Sequence, residues 1–123
     1  MKVEYATEKV RTQCTSVKAA NKLFGGDKQL VNSLHARINM LISSNTLQDV
    51  ILYKPCRFHN LENKHGKNLK GYCAIDVKTK KESWRIILQP LTDELLPYES
   101  GNIDTIAKNV KVVEIREVSD HYE

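Results

Sequence analysis

Residues Gly71–Pro90 read GYCAIDVKTKKESWRIILQP. Cys73, Ile75 and Val77 alternate with Tyr72, Ala74, Asp76 and Lys78, the period of two that predicts a half-buried strand. Trp84, Ile86 and Leu88 then alternate with Ser83, Arg85, Ile87 and Gln89. A basic turn joins the two runs, so the stretch predicts a β-hairpin. One face, with Trp84, Ile86 and Leu88, suits a core. The other carries Arg85, a cation that a core does not need.

Working outward, the apolar face needs a cover. Asp27 is a good N-cap, and Leu30, Val31, Leu34, Ile38, Leu41 and Ile42 recur at three- and four-residue spacing, which predicts a helix to about Ser43. Before it, Thr7 is an N-cap for a run containing Val10 and Cys14. Thr15 or Ser16 can cap a further turn with Ala19, Ala20, Leu23 and Phe24, ended by Gly25-Gly26 in left-handed conformations. Thr7 to Phe24 reads equally as one bent helix or two short ones. Lys2–Tyr5 alternates and predicts an edge strand. Asn45–Pro55 predicts a helical turn and a connection, since Pro55 does not suit a central strand. Leu91–Asn109 reads as a long loop with a helical turn near Ile103. Val110–Val118 predicts a last strand, bulged between Val112 and Val113. The order β-α-α-β-β-β predicts an α+β fold, with an antiparallel sheet covered by helices on one face and open on the other.

The 123 residues suit one domain, residues 1–123. Hydrophobic residues are 41% and charged residues 28%, the balance of a soluble globular chain. No run reaches the ~18 apolar residues of a membrane span, and MKVEYATEK has no apolar signal region. Cys14, Cys56 and Cys73 are odd in number and lack metal spacing. They read as reduced thiols in a cytoplasmic protein without a metal or other cofactor.

The net charge of +4 is unevenly placed. Lys54–Arg85 holds nine Lys/Arg against three acids, and the remainder holds ten against twelve. A clustered basic patch suits a polyanion. No phosphate-cradling glycine loop, zinc-protease helix or serine-nucleophile elbow is present. Cutting RNA by attack of its own 2′-hydroxyl needs a proton acceptor, a proton donor and cations for the phosphorane-like transition state. His59 and His121 can move protons, Tyr122 can position or donate, and Arg85 can fork a phosphate. Alternatively, Arg85 pairs with Asp76 across the hairpin. His35, between Leu34 and Ala36, reads as a surface histidine.

The segments RFHNL (Arg57–Leu61), KGYCAIDV (Lys70–Val77), WRIIL (Trp84–Leu88) and VVEIREVSDHY (Val112–Tyr122) together resemble the RelE/ParE superfamily, and most closely the HigB-type toxins. The resemblance follows element order along the whole chain, with residue-level matches at about 57–89 and the last dozen positions. It implies a metal-independent, ribosome-dependent mRNA endonuclease that inhibits translation and is silenced by a cognate antitoxin (HigA-like, helix-turn-helix), through which operator DNA is bound. It implies catalytic roles for His59, Arg85, His121 and Tyr122, the last two in reversed order relative to the family. Arg57, Lys64, Lys67 and Lys70 would bind RNA. Glu62 stands where the family has a lysine, and one of the three loop lysines would substitute. A ParE-like gyrase poison of the same fold and a non-catalytic RNA- or protein-binding module are the alternatives.

Overall fold

The computed structural model describes residues 1–61, 71–98 and 102–121. Among these, five α-helices and one five-stranded mixed sheet form an α+β fold. The strands are β1 (Lys2–Tyr5), β2 (His59–Asn60), β3 (Cys73–Asp76), β4 (Arg85–Leu91) and β5 (Val112–Ser119), in the sheet order β1-β5-β4-β3-β2. The helices are α1 (Glu8–Thr15), α2 (Val17–Leu23), α3 (Lys28–Ser43), α4 (Leu47–Leu52) and α5 (Ile103–Ile106).

Capping decides the helical half. The Thr7 side chain accepts from the Val10 amide, and the Ser16 side chain accepts from Ala19. Ser16 has an extended backbone, so it closes α1 and opens α2, and the run is two helices. Gly25 and Gly26 turn at φ +62° and +90°. Asp27 accepts from the amides of Gln29 and Leu30 and starts α3. Leu30, Val31, Leu34, Ile38 and Leu41 are buried along α3, whereas Ile42 at its end is exposed.

The hairpin forms with Cys73 opposite Leu88 and Asp76 opposite Arg85. Cys73, Ile75, Ile86, Leu88, Val113, Ile115 and Val118 supply the sheet side of the main core under α1, α3 and α4. Trp84 lies one residue before β4 and is half-buried, its ring set edge-on against Phe24 with centroids 4.9 Å apart. It seals the rim of the core beside the end of α2. It is not the central anchor under α3 that strict alternation predicts, because the strand ladder begins only at Arg85.

Three further expectations are corrected. The sheet is not wholly antiparallel: β1 runs parallel to β5, with Val3 opposite Val113. Alternation tells which face a side chain takes, but the direction of a partner 110 residues away depends on how the helices return the chain. The bulge lies at Arg116, where the register steps from Ile87–Glu117 to Leu88–Ile115. This step puts both Ile115 and Val118 on the core face, three residues apart. The second face is not open either. Leu61, Ala74 and Ile87 form a small buried cluster there, with Tyr72 against it. Pro90 sits in the inner strand β4, yet β3 ends opposite Leu88, so Pro90 withholds no ladder bond from it.

All three cysteines are free and buried. Burial pushes the Cys14 thiol up to about 12 and the Cys73 thiol further still. Unfolding returns each to its ordinary value of 9.0, where the open chain gives up a proton that the native state keeps. Stability is therefore full below pH 9 and falls as pH rises from there towards 12, by at most about 1.4 kcal/mol per pH unit per thiol. Urea midpoints at pH 8 and pH 10 should differ less in Cys14→Ala than in the wild type. An equal shift in both would show that Cys14 contributes nothing.

Candidate functional site

After α4 the chain makes a 3₁₀ turn, Lys54–Cys56, that Pro55 favours through its fixed φ. The Cys56 thiol donates to the carbonyls of Tyr53 (3.1 Å) and Val50 (3.3 Å) and ties the turn to α4. Arg57 ends it at φ 47°, ψ 56°, a left-handed conformation unusual for a bulky residue. That reversal brings Phe58 back onto the core and starts the edge strand β2 at His59.

Arg57, Phe58, His59, Lys80 and Arg85 line a cleft of about 480 Å³. Three of the residues singled out in the sequence thus meet in one place, though they span β2, β4 and the preceding turn. His59 stands opposite Ala74, and two positions along β3 Asp76 stands opposite Arg85. This register, set by the hairpin, puts the imidazole and the guanidinium at the same opening.

His59 Nδ1 lies 3.0 Å from the Arg57 carbonyl oxygen. A carbonyl only accepts, so Nδ1 carries the proton and donates. In the neutral ring Nε2 then keeps its lone pair and, among the described residues, has no hydrogen-bond partner. The imidazole is set as a proton acceptor.

The cations rest on Asp76, whose side chain is 0% exposed. Arg57 clasps it from two nitrogens: Nε donates to Oδ2 at 2.6 Å and Nη2 to Oδ1 at 3.1 Å. That hydrogen bonding raises the Arg57 pKa above its already high value, so the cation persists. Its side chain stays 40% exposed. Arg85 is 5% exposed. Its Nε is 3.1 Å from Asp76 Oδ1, an ion pair by distance, but out of line for a hydrogen bond, which leaves Nε a buried donor without a partner. Its Nη1 donates to the carbonyls of Glu82 and Trp84, the latter at 2.9 Å. Among the described residues Nη2, like Nε, has no hydrogen-bond partner. Arg85 is therefore not the solvent-facing cation expected from alternation. It is a buried brace of the hairpin turn that shows one corner to the cleft, and its pairing with Asp76 is the alternative that holds.

Of the remaining residues singled out in the sequence, His121 is exposed, 3.5 Å from Asp120, and is not among the cleft-lining side chains. Tyr122, Glu62, Lys64, Lys67 and Lys70 lie outside the described residues. Sequence reasoning passed over Lys80, hidden as one lysine among several in a turn. It also missed Arg37, which donates from Nε to the Asp76 carbonyl (3.0 Å) and from Nη2 to the carbonyls of Pro55 and Lys78, both at 3.2 Å. Its position three residues after Leu34, on the flank of the apolar stripe of α3, is the signal that points inward. His35 is half-buried with Nε2 shielded and unpartnered, not on the surface. No group of three or more His, Cys, Asp or Glu comes together as a metal-ligand set among the described residues. No described helix is long and apolar enough to cross a membrane. No protein-family model matches the chain, and no curated protein matches it.

Proposed function

We propose that the chain is a HigB-type toxin of the RelE/ParE superfamily that cuts mRNA on the ribosome, acts in the cytoplasm and is silenced by a cognate antitoxin. The observation that carries this reading is His59, held through Nδ1 with Nε2 unpartnered among the described residues, in one cleft with Arg57, Lys80 and Arg85. The ordered motif set supports it, and the finer assignment of the sheet to a RelE-like fold goes with it.

In this reading an RNA phosphate sits against the cationic side of the cleft. His59 Nε2 takes the proton of the 2′-hydroxyl, and the freed oxygen attacks the neighbouring phosphorus. The bond to the 5′-oxygen breaks as that oxygen gains a proton, leaving a 2′,3′-cyclic phosphate and a 5′-hydroxyl. Arg57 and Lys80, with the free corner of Arg85, offset the charge gathered at phosphorus. His121 and Tyr122 are the donors that the family resemblance assigns. No metal is needed for these steps. The antitoxin would cover the basic cleft with an acidic or amphipathic segment.

The test is direct. Purified protein added to a translation extract is expected to cleave translated mRNA within minutes and leave free mRNA largely intact. Intact message would sink the proposal. Inhibition of gyrase supercoiling with no RNA cut would replace it by the gyrase-poison reading, and RNA binding without turnover by the binding-module reading.

A further inference from the structure

Asp76 belongs to no part of the chemistry above, yet both arginines of the cleft end on it. It is wholly buried, and its Oδ1 lies 3.1 Å from Arg57 Nη2 and 3.1 Å from Arg85 Nε. Two like charges held that close to one oxygen would repel and swing apart without the carboxylate between them. Arg57 also holds a left-handed backbone, a strain that persists only where surroundings over-determine it. The carboxylate is itself fixed: Arg37 binds the Asp76 backbone oxygen at 3.0 Å, and the β3–β4 ladder fixes its strand. With Nε and Nη2 of Arg57 turned inward, Nη1 is the nitrogen that, among the described residues, is left to meet a ligand.

We propose that Asp76 is a positioning residue, which presets Arg57 and Arg85 as a two-guanidinium seat for one phosphate group in the cleft. The identity of that phosphate as part of an RNA chain rests on the reading under Proposed function. Asp76 touches no substrate; it lowers the cleft's net charge by one and supplies geometry in return. Its removal therefore moves binding and turnover in opposite directions. A residue that only stabilised the fold would lower both together.

The experiment compares wild type with Asp76→Asn, which keeps shape and loses charge, at a temperature where melting curves show both folded. A single-stranded DNA oligonucleotide, which lacks the attacking 2′-hydroxyl, reports binding; cleavage in the translation extract reports turnover. Asp76→Asn is expected to bind the oligonucleotide as tightly as wild type or tighter, and to cut at least tenfold more slowly. Parallel losses in both, or no change in either, overturn the proposal. Should Asp76→Asn not fold, Asp76→Glu takes its place: it keeps the charge but its longer side chain shifts the carboxylate against both guanidiniums. It is expected to bind the oligonucleotide as tightly as wild type and cut at least tenfold more slowly, and wild-type cutting would overturn the proposal. Should the wild type itself cut no RNA, the reading above fails separately. The Arg57 Nε–H proton resonance then decides, expected sharp and slowly exchanging in wild type and lost in Asp76→Asn; a signal unchanged in the variant overturns the positioning role.

Discussion

Arg85→Ala is expected to destabilise the protein by about 3–5 kcal/mol, the cost of breaking a buried ion pair by removing one partner. Against a total of about 5–15 kcal/mol for a domain, that is roughly a fifth or more of the stability. The reason is geometric. Arg85 is 5% exposed, faces the fully buried Asp76 and fills the carbonyls of Glu82 and Trp84. Alanine leaves the Glu82 carbonyl without its side-chain donor, the Trp84 carbonyl with only the Val77 amide, and the Asp76 carboxylate with Arg57 alone. The hairpin turn should loosen first, and with it the packing of Trp84 on Phe24. Arg85→Lys keeps a charge but loses the planar fork, so it should recover only part of the loss. Urea unfolding followed by tryptophan fluorescence measures all three proteins, and the single tryptophan reports the affected region. A midpoint for Arg85→Ala within error of the wild type would mean that the pair contributes nothing. Loss of the proposed mRNA cleavage in an Arg85 variant is therefore interpretable only beside its stability.

His59→Ala carries the largest expected effect on activity. In the proposed mechanism it removes the proton acceptor and should slow mRNA cleavage by about 10²–10⁴-fold. The fold should survive, because His59 is half-buried on a two-residue edge strand and, among the described residues, its side chain makes one hydrogen bond, to the Arg57 carbonyl. A thermal midpoint within a few degrees of wild type is expected. His59→Gln can still donate to that carbonyl but cannot take a proton at neutral pH, so it should be as inactive as the alanine variant. Cleavage at more than a tenth of the wild-type rate in either variant would remove His59 from the chemistry. His121→Ala is the comparison: its ring is exposed, and cleavage that survives its removal would place the proton donor elsewhere.

Much of the fold is legible because it rests on local chemistry. Thr7, Ser16 and Asp27 cap helices for the reason short polar side chains always do, and the α3 stripe repeats at helical spacing. The hairpin of Gly71–Pro90 follows from alternation, and so does the opposition of Asp76 and Arg85. The bulge was readable in kind and misplaced in position, since Val113, Ile115 and Val118 are equally apolar under either register. The parallel pairing of β1 with β5 was not readable, because nothing in Lys2–Tyr5 encodes a neighbour at the far end of the chain.

The candidate site divides along the same line. Residue types, their concentration of positive charge and the presence of His59 near a basic hairpin belong to the sequence by itself, as do the α+β class and the hairpin. Which cations stay free and which become structural was decided by the tertiary structure alone. Alternation sent Arg85 to the outer face, but burial depends on what packs above that face and on the neighbour across the strand. Asp76, buried and shared by two arginines, turns one of them inward as a brace and holds the other at the mouth of the cleft beside His59. A charge buried in a low-dielectric interior must find its partner, and only the packed fold determines which partner that is.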